Sequence, residues 1–427
     1  MAQRAAALPA ARPAWVEAVN RGDVAPIVEE AARPLTRDAL LAEALALDGG
    51  DPGDGAAAFG DDAFLEPLDV FLAAIETEAE LTVLGRWLTR RFLLRLLVGR
   101  LQLERYVAAD PGVVEEEIRA PIFIAGAPRT GTTILFGLMV QDPRLRAPLG
   151  WELLRPVPPP RPGADGRPAE DGRVELAEAE LRMLARVQPQ MDAIHEYGAR
   201  QPKECLSAMS FELRSEELTA RYHVPSYVRW FQSCDMRPAY ERHKLVLQVL
   251  QRRLPTGRWV LKSPAHLHQL PALLAVYPDA RLAFTHRDPL AVLASVSSLV
   301  ANLRAVHSDR VDLAEIGRYH LDLFHRSLDD LARRDAAGEL PEGRTGHGRY
   351  ADFVARPLDT VADLYRQLGL ELDPATRTRM ADHLAARPRG HRGEHHYDFA
   401  DLGLDPAATR VRFARYLRHF GVPEEGA

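Results

Sequence analysis

Residues 126–133 read GAPRTGTT, a run in which two glycines bracket an arginine and threonine hydroxyls are dense. Such a run between a strand and a helix offers backbone N–H groups and a helix N-terminus to an anion. The spacing matches the nucleotide loop GxxxxGK[ST] except that Thr132 stands where the lysine belongs. In a triphosphate-hydrolysing site that lysine meets the β- and γ-phosphates, and an Asp at a strand end helps hold magnesium. Here the lysine is missing, and neither WVLK (259–262) nor RLAFTH (281–286) ends in Asp, so triphosphate hydrolysis is disfavoured. What remains is Arg129 with Thr130, Gly131, Thr132 and Thr133. A forked guanidinium and several hydroxyls can orient a phosphosulfate without a metal. The plain alternative is a glycine-rich turn that merely joins two elements.

A second basic position follows the last apolar run. In THRDPLAVLASV (285–296), Arg287 leaves a predicted strand and Ser295 lies two turns into the next predicted helix. Both can then face one phosphate at a strand end; the bland reading is a surface pair of Arg287 with Asp288 and a packed Ser295. Only Lys203, Lys244 and Lys262 are lysine among 54 basic residues. A chain that writes arginine by default and places Lys262 at the end of WVLK suggests a need for a compact, movable ammonium.

These residues need elements to hold them. PIFIA (121–125) is too short for a helix and ends at Gly126, the pattern of a buried strand entering a loop. Helical periodicity resumes over 132–140. WVLK and RLAFTH are further strands, each leading into a helix; the second helix begins at Pro289, a residue favoured at the first helical position. A last unit over 349–369 ends near Gly369. Upstream, 36–47 and 79–106 are helical, separated by the turn-rich stretch 49–55; 156–172 reads as an exposed loop. Residues 174–254 form a helical block broken near Pro189, Pro202, Pro225 and Pro238. The expectation is an α/β fold, a P-loop-type, mostly parallel sheet flanked by helices, with ligands beyond the carboxyl ends of its strands. Residues 1–118 form a helical region packed on the core and 119–427 the α/β domain, with 173–255 as a helical insertion.

The loop GAPRTGTT together with THRDPLAVLASV resembles the sulfotransferases that use 3′-phosphoadenosine 5′-phosphosulfate (PAPS), particularly the bacterial branch with a PRTGTT-type loop. The resemblance runs from about residue 121 to the C-terminus. It implies that the loop holds the 5′-phosphosulfate and that Arg287 and Ser295 hold the 3′-phosphate. PRGHRGEHHY (388–397) is similar to the family's closing segment, which makes Arg392 and Gly393 further 3′-phosphate contacts. His391 and His395 read alternatively as a metal pair on a helix, against which Pro388, Gly390 and Gly393 argue.

Sulfonate transfer needs a base for the acceptor proton, cations on the transferring group, and in-line positioning. Related members use a His or Glu soon after the first loop helix. Glu152 lies 23 residues after Arg129 with no His between, so the resemblance implies Glu152 as base, against a plain role as a helix-start carboxylate. Lys262 is assigned to the leaving group and Arg129 to the transferring group. His266 is an alternative base or an acceptor contact. His195, Tyr197, Phe211, Tyr222, Tyr227 and Trp230 are aromatic residues that line an acceptor pocket or form ordinary helix core. The acceptor is a hydroxyl or amine of a small molecule, lipid or glycan.

Composition bounds the rest. A formal charge of −6 gives no reason to expect nucleic acid. Cys205 and Cys234 are the only cysteines, so a disulfide framework and a CxxC motif are absent and a cytoplasmic setting fits. The start of the chain shows no apolar export signal. The most apolar stretch, 92–103, is broken by Arg95 and Arg100, so no membrane span is expected. A homodimer is allowed for. The competing functional readings are a kinase-like nucleotide-binding protein and a non-catalytic scaffold of the same fold.

Overall fold

The run Ile122–Ala125 is buried at all four positions, as a central strand covered on both faces must be. A computed structural model describes residues 12–164, 166–191, 198–254, 257–386 and 398–425. It shows a five-stranded sheet of β1 (Ile122–Ala125), β2 (Leu145–Arg146), β3 (Arg258–Lys262), β4 (Arg281–His286) and β5 (Thr345–Arg349). The order is β2-β3-β1-β4-β5, and each neighbouring pair is parallel. Three strands fall where the apolar runs predict them, and β2 and β5 are added. Register sets Ile124 beside Lys262 and Ala125 beside Phe284. The loop after β1, the end of β3 and the residue after β4 therefore share the carboxyl edge of the sheet.

Alternation along the strands divides the core. Ile122 and Ile124 join Val260, Ala283, Leu135, Phe136 and Leu364 on one face. Phe123 and Ala125 belong to a larger cluster on the other face, which runs from Leu35 in the N-terminal helices through Phe284 to Val422. The helix Thr132–Met139 follows β1, and Pro289–Ala305 begins at the expected proline. Its N-cap is Asp288, whose carboxylate accepts from the Leu290 N–H at 3.0 Å. Pro225 and Pro238 sit in the first turns of helices Pro225–Phe231 and Arg237–Gln251, where a missing N–H costs nothing.

The 27-residue helix Val83–Ala109 carries Arg100 into the interior, where it is fully buried. A buried charge survives only when paired, and Arg100 pairs with Glu212 and Asp61 and donates to the Phe59 carbonyl. Arg242 extends the network, donating to Glu212 at 2.9 Å and Glu104 at 2.6 Å. The N-terminal helices are thereby bolted to the helices after residue 205. Among the described residues no helix is long and apolar enough to cross a membrane.

Candidate active site

Residues 126–131 turn sharply from β1 into the helix Thr132–Met139 because their backbone permits it. A Cβ at Gly126 would lie 2.4 Å from Thr285 Oγ1 and 2.9 Å from the Thr285 carbonyl, so only glycine lets β4 approach. Arg129 and Gly131 both take left-handed conformations, with φ of +67° and +96°. Such turns make the concave row of N–H groups that binds anions. The Arg129 side chain is exposed at the rim, and Thr132 and Thr133 stand on the wall of the cleft that opens here. Thr130 departs from expectation. Its buried hydroxyl donates to the Ala127 carbonyl at 2.7 Å and contacts Thr285 Oγ1 at 2.6 Å, so it braces the loop against β4.

The cleft holds about 290 Å³. Lys262, at the end of β3, lies on its wall with the ammonium 5.9 Å from the Phe136 ring centroid, and forms an ion pair with Glu204. Two backbone contacts create that meeting. The Cys205 N–H donates to the Lys262 carbonyl at 3.0 Å, and the Lys203 N–H donates to the Pro148 carbonyl at 2.9 Å. The strip 203–205 is thus stitched along the end of the sheet. Ser295 faces the cleft from the helix Pro289–Ala305.

Two more carboxylates enter from the helix Glu216–Arg221. Burial, then the nearby charge of Glu204, raises Glu216 to about 8. Burial would also raise Glu217, but Arg221, Lys203 and Arg95 together bring it down to about 2. Lys203 itself is pushed down by burial, with Glu217 partly offsetting this. Away from these charges the cleft is apolar, with Leu181, Leu184, Val296, Leu299, Leu303 and Phe324 on its walls.

Glu152 is not among the cleft residues. It is fully buried in the first turn of Gly150–Leu154, where Oε2 accepts from the Leu149 N–H at 2.8 Å and Oε1 pairs with Arg146 at 2.5 Å. Arg146 in turn lies over the Trp259 ring at 4.6 Å. Both oxygens are committed to capping and pairing, so the expected base is a structural carboxylate. His266 is likewise sealed in the core: its Nδ1 is 3.0 Å from the Tyr240 hydroxyl, Phe123 meets its ring edge-on, and burial holds its pKa far below the ordinary value. It touches no acceptor space.

Tyr227 is also fully buried, donating to the Leu213 carbonyl at 2.5 Å and packing on Phe71. Phe211 and Tyr222 are core, and Trp230 Nε1 donates to Glu66. The aromatic rings on the cleft are instead Phe136, Tyr319 and Phe324. His195, Tyr197, Arg392 and Gly393 lie outside the described residues.

Arg287 reaches the loop, donating to the Arg129 carbonyl at 2.9 Å and lying over the Tyr350 ring at 4.1 Å. Its fork grips the Glu425 carboxylate, with Nη2 2.7 Å and Nε 2.9 Å from its oxygens. The Glu425 N–H donates to Asp288 at 2.7 Å, and Arg410 holds both Asp288 and the Glu425 carbonyl. Sequence reasoning missed Glu204, Glu216 and Glu425. The scarcity of lysine pointed at Lys203, next to Glu204, yet no spacing says which carboxylate meets Lys262.

A tight loop at the carboxyl edge of a parallel sheet, with a lysine–carboxylate pair on the wall of the cleft beside it, is where an α/β fold places its ligand site. A profile of the Sulfotransferase family matches residues 121–374, well over half of the chain. The omega-hydroxy-beta-dihydromenaquinone-9 sulfotransferase Stf3 of Mycobacterium bovis is 29% identical over 313 residues, covering 68% of this chain and 71% of that protein. The crystal structure of sulfotransferase STF1 from Mycobacterium tuberculosis matches with a TM-score of 0.75 at 34% identity, covering 89% of this chain and 98% of that one. That of STF9 from Mycobacterium avium matches with a TM-score of 0.80 at 28% identity, covering 93% and 99%. The chain belongs to the sulfotransferase family and is an enzyme that transfers a sulfonate group.

Proposed function

We propose that the donor is PAPS and that the acceptor is a hydroxyl carried on an apolar, lipid-like molecule. The observation that carries this reading is that the Lys262–Glu204 pair lines one cleft together with Arg129, Thr132 and Thr133 of the loop and an apolar wall. In this reading the loop backbone, Arg129, Thr132 and Thr133 hold the phosphosulfate. Arg287 and Ser295 take the 3′-phosphate, with Arg392 and Gly393 assigned to the same group, and Glu425 gives way when that phosphate arrives.

Glu204 is the general base in place of Glu152. The acceptor oxygen attacks sulfur as its proton passes to Glu204; the new O–S bond forms while the bond from sulfur to the bridging phosphate oxygen breaks. Lys262 donates to that leaving oxygen, and adenosine 3′,5′-bisphosphate departs. Leu181, Leu184 and Phe324 suit an apolar chain behind the reacting hydroxyl. The relative Stf3 is named for a hydroxylated dihydromenaquinone, a molecule of this kind. Both cysteines are free thiols, which fits a cytoplasmic setting.

The test is calorimetric or thermal-shift titration with adenosine 3′,5′-bisphosphate, with ATP plus magnesium and 5′-AMP as comparators. A native-state ligand at a hundredfold excess over Kd adds about 2.7 kcal/mol. Selective stabilisation by the bisphosphate is the expected result; a preference for ATP with magnesium rejects the donor assignment.

A further inference from the structure

We propose that Glu216, on the wall of the cleft, shares a single proton with His268, and that this proton holds the pair neutral beside Glu204 while the anionic donor is bound. The inference rests on the reading of Glu204 as the base, and it makes Glu216 a positioning residue acting through its charge.

Hydrogen-bond accounting places the proton. His268 is in the short helical turn Pro264–His268, with its side chain only 5% exposed. Its Nδ1 meets the Ser327 hydroxyl. That hydroxyl spends its one hydrogen on the Leu323 carbonyl at 2.8 Å, so towards His268 it can only accept. Nδ1 therefore carries the ring hydrogen, and Nε2 of the neutral ring presents a lone pair. Nε2 faces Glu216 Oε1 at 3.5 Å and has no hydrogen-bond partner among the described residues.

A lone pair and a carboxylate oxygen repel each other in a site shielded from water. One proton between them turns the contact into a hydrogen bond, whichever atom carries it. A second proton would make the ring an imidazolium, a charge that burial, His320 and Arg326 all disfavour here.

The surroundings put that proton on Glu216. Burial and the charge of Glu204 raise the carboxyl to about 8, whereas burial, then His320 and Arg326, lowers His268 to about 3. The charged and titratable groups that face the pair come from three neighbouring segments: Glu204, held by Lys262, from the 203–205 strip; Tyr319, His320 and Arg326 from the helix Leu313–Ala336; and Tyr240 from Arg237–Gln251. Glu217 is compensated separately by Arg221 and Lys203. Like charges side by side disfavour each other, so with Glu204 paired to Lys262 the neighbouring Glu216 keeps its proton. Loss of the shared proton leaves a second negative charge beside Glu204, in a cleft that must admit a polyanion.

The experiment measures bisphosphate affinity and kcat/KM from pH 6 to 9.5 in the full-length enzyme, in Glu216→Gln and in His268→Phe. Wild type should lose affinity several-fold as pH rises past about 8. Glu216→Gln, which cannot ionise, should show no such alkaline limb. His268→Phe removes the lone pair that favours the protonated carboxyl, so its limb should move to lower pH. An alkaline limb that persists unchanged in Glu216→Gln, or wild-type affinity flat to pH 9.5, overturns the proposal. Because binding is read without turnover, the result is separate from the fate of the base assignment, which falls if Glu204→Gln turns over at the wild-type rate.

Discussion

Glu204 and Glu152 are both acidic residues held by a cation, yet they differ in what their oxygens face. Glu152 has one oxygen on a helix-start N–H and the other on Arg146, with no exposed surface. Glu204 opens onto the cleft, paired with the Lys262 ammonium. Glu204→Gln should therefore slow transfer by roughly 10²–10⁴-fold, the usual cost of a lost general base, with bisphosphate affinity retained. Steady-state kinetics alongside calorimetry checks this, and wild-type turnover would clear Glu204 of the role. Glu152→Ala should do the reverse. Loss of the ion pair with the half-buried Arg146, which keeps its bond to the Leu250 carbonyl, and of the helix-start contact should cost about 1–3 kcal/mol in denaturant unfolding, while turnover per folded molecule persists.

At the level of elements, the loop after β1, to which the donor phosphosulfate is assigned, depends on how closely β4 packs behind it. A methyl group at Gly126 would meet Thr285, whose hydroxyl also touches Thr130, so Gly126→Ala must push the loop outward. Overpacking of this kind costs about 1–3 kcal/mol. Bisphosphate binding should fall by more than the loss of folded protein explains, because the displaced N–H groups no longer converge on one anion. A variant with a lowered Tm but wild-type Kd would show that the loop does not carry the donor. This loop was legible in the sequence because its requirements are local: a short apolar run, glycine where backbones crowd, and a helix start. The inward turn of the Thr130 hydroxyl was not legible, because its partner is on a strand more than 150 positions away.

Across the whole molecule, the Glu425 carboxylate sits in the guanidinium fork of Arg287. A carboxylate there competes with a phosphate for the same donors. Glu425→Ala should tighten bisphosphate binding several-fold at low salt, and weaker binding in calorimetry would mean that Glu425 orients Arg287 for the donor.

Stability should also depend on pH through buried histidines. His243 and His307 are lowered to about 3 and His320 to about 4, chiefly by burial. Unfolded, each titrates near 6.5, so below that pH the unfolded chain binds more protons than the folded one. Their contribution is complete above pH 6.5 and drains as pH falls towards the folded values, at about 1.4 kcal/mol per histidine per pH unit. Glu216 acts oppositely between pH 8 and 4.5, one group against these histidines and against His266 and His268, which burial lowers in the same way. Scanning calorimetry should give a lower Tm at pH 5 than at pH 7; an equal or higher value would refute the account.

By itself the sequence determined the parallel α/β sheet, the tight turn after β1 and the lysine at the end of β3. Each is specified by neighbours within a few residues, through strand and helix periodicity and the backbone freedom of glycine. Only the tertiary structure decided which carboxylate meets Lys262. The strip 199–203 pairs with 148–151, through Gly150 to Gln201 and Lys203 to Pro148, and Cys205 then bonds to the end of β3. That pairing seals Glu152 inside and turns Glu204 out, a choice made by contacts about 50 residues apart. Histidines and tyrosines could not be sorted into core and cleft from their types, because His266 and His268 differ by two positions and only packing separates a sealed ring from one that faces Glu216.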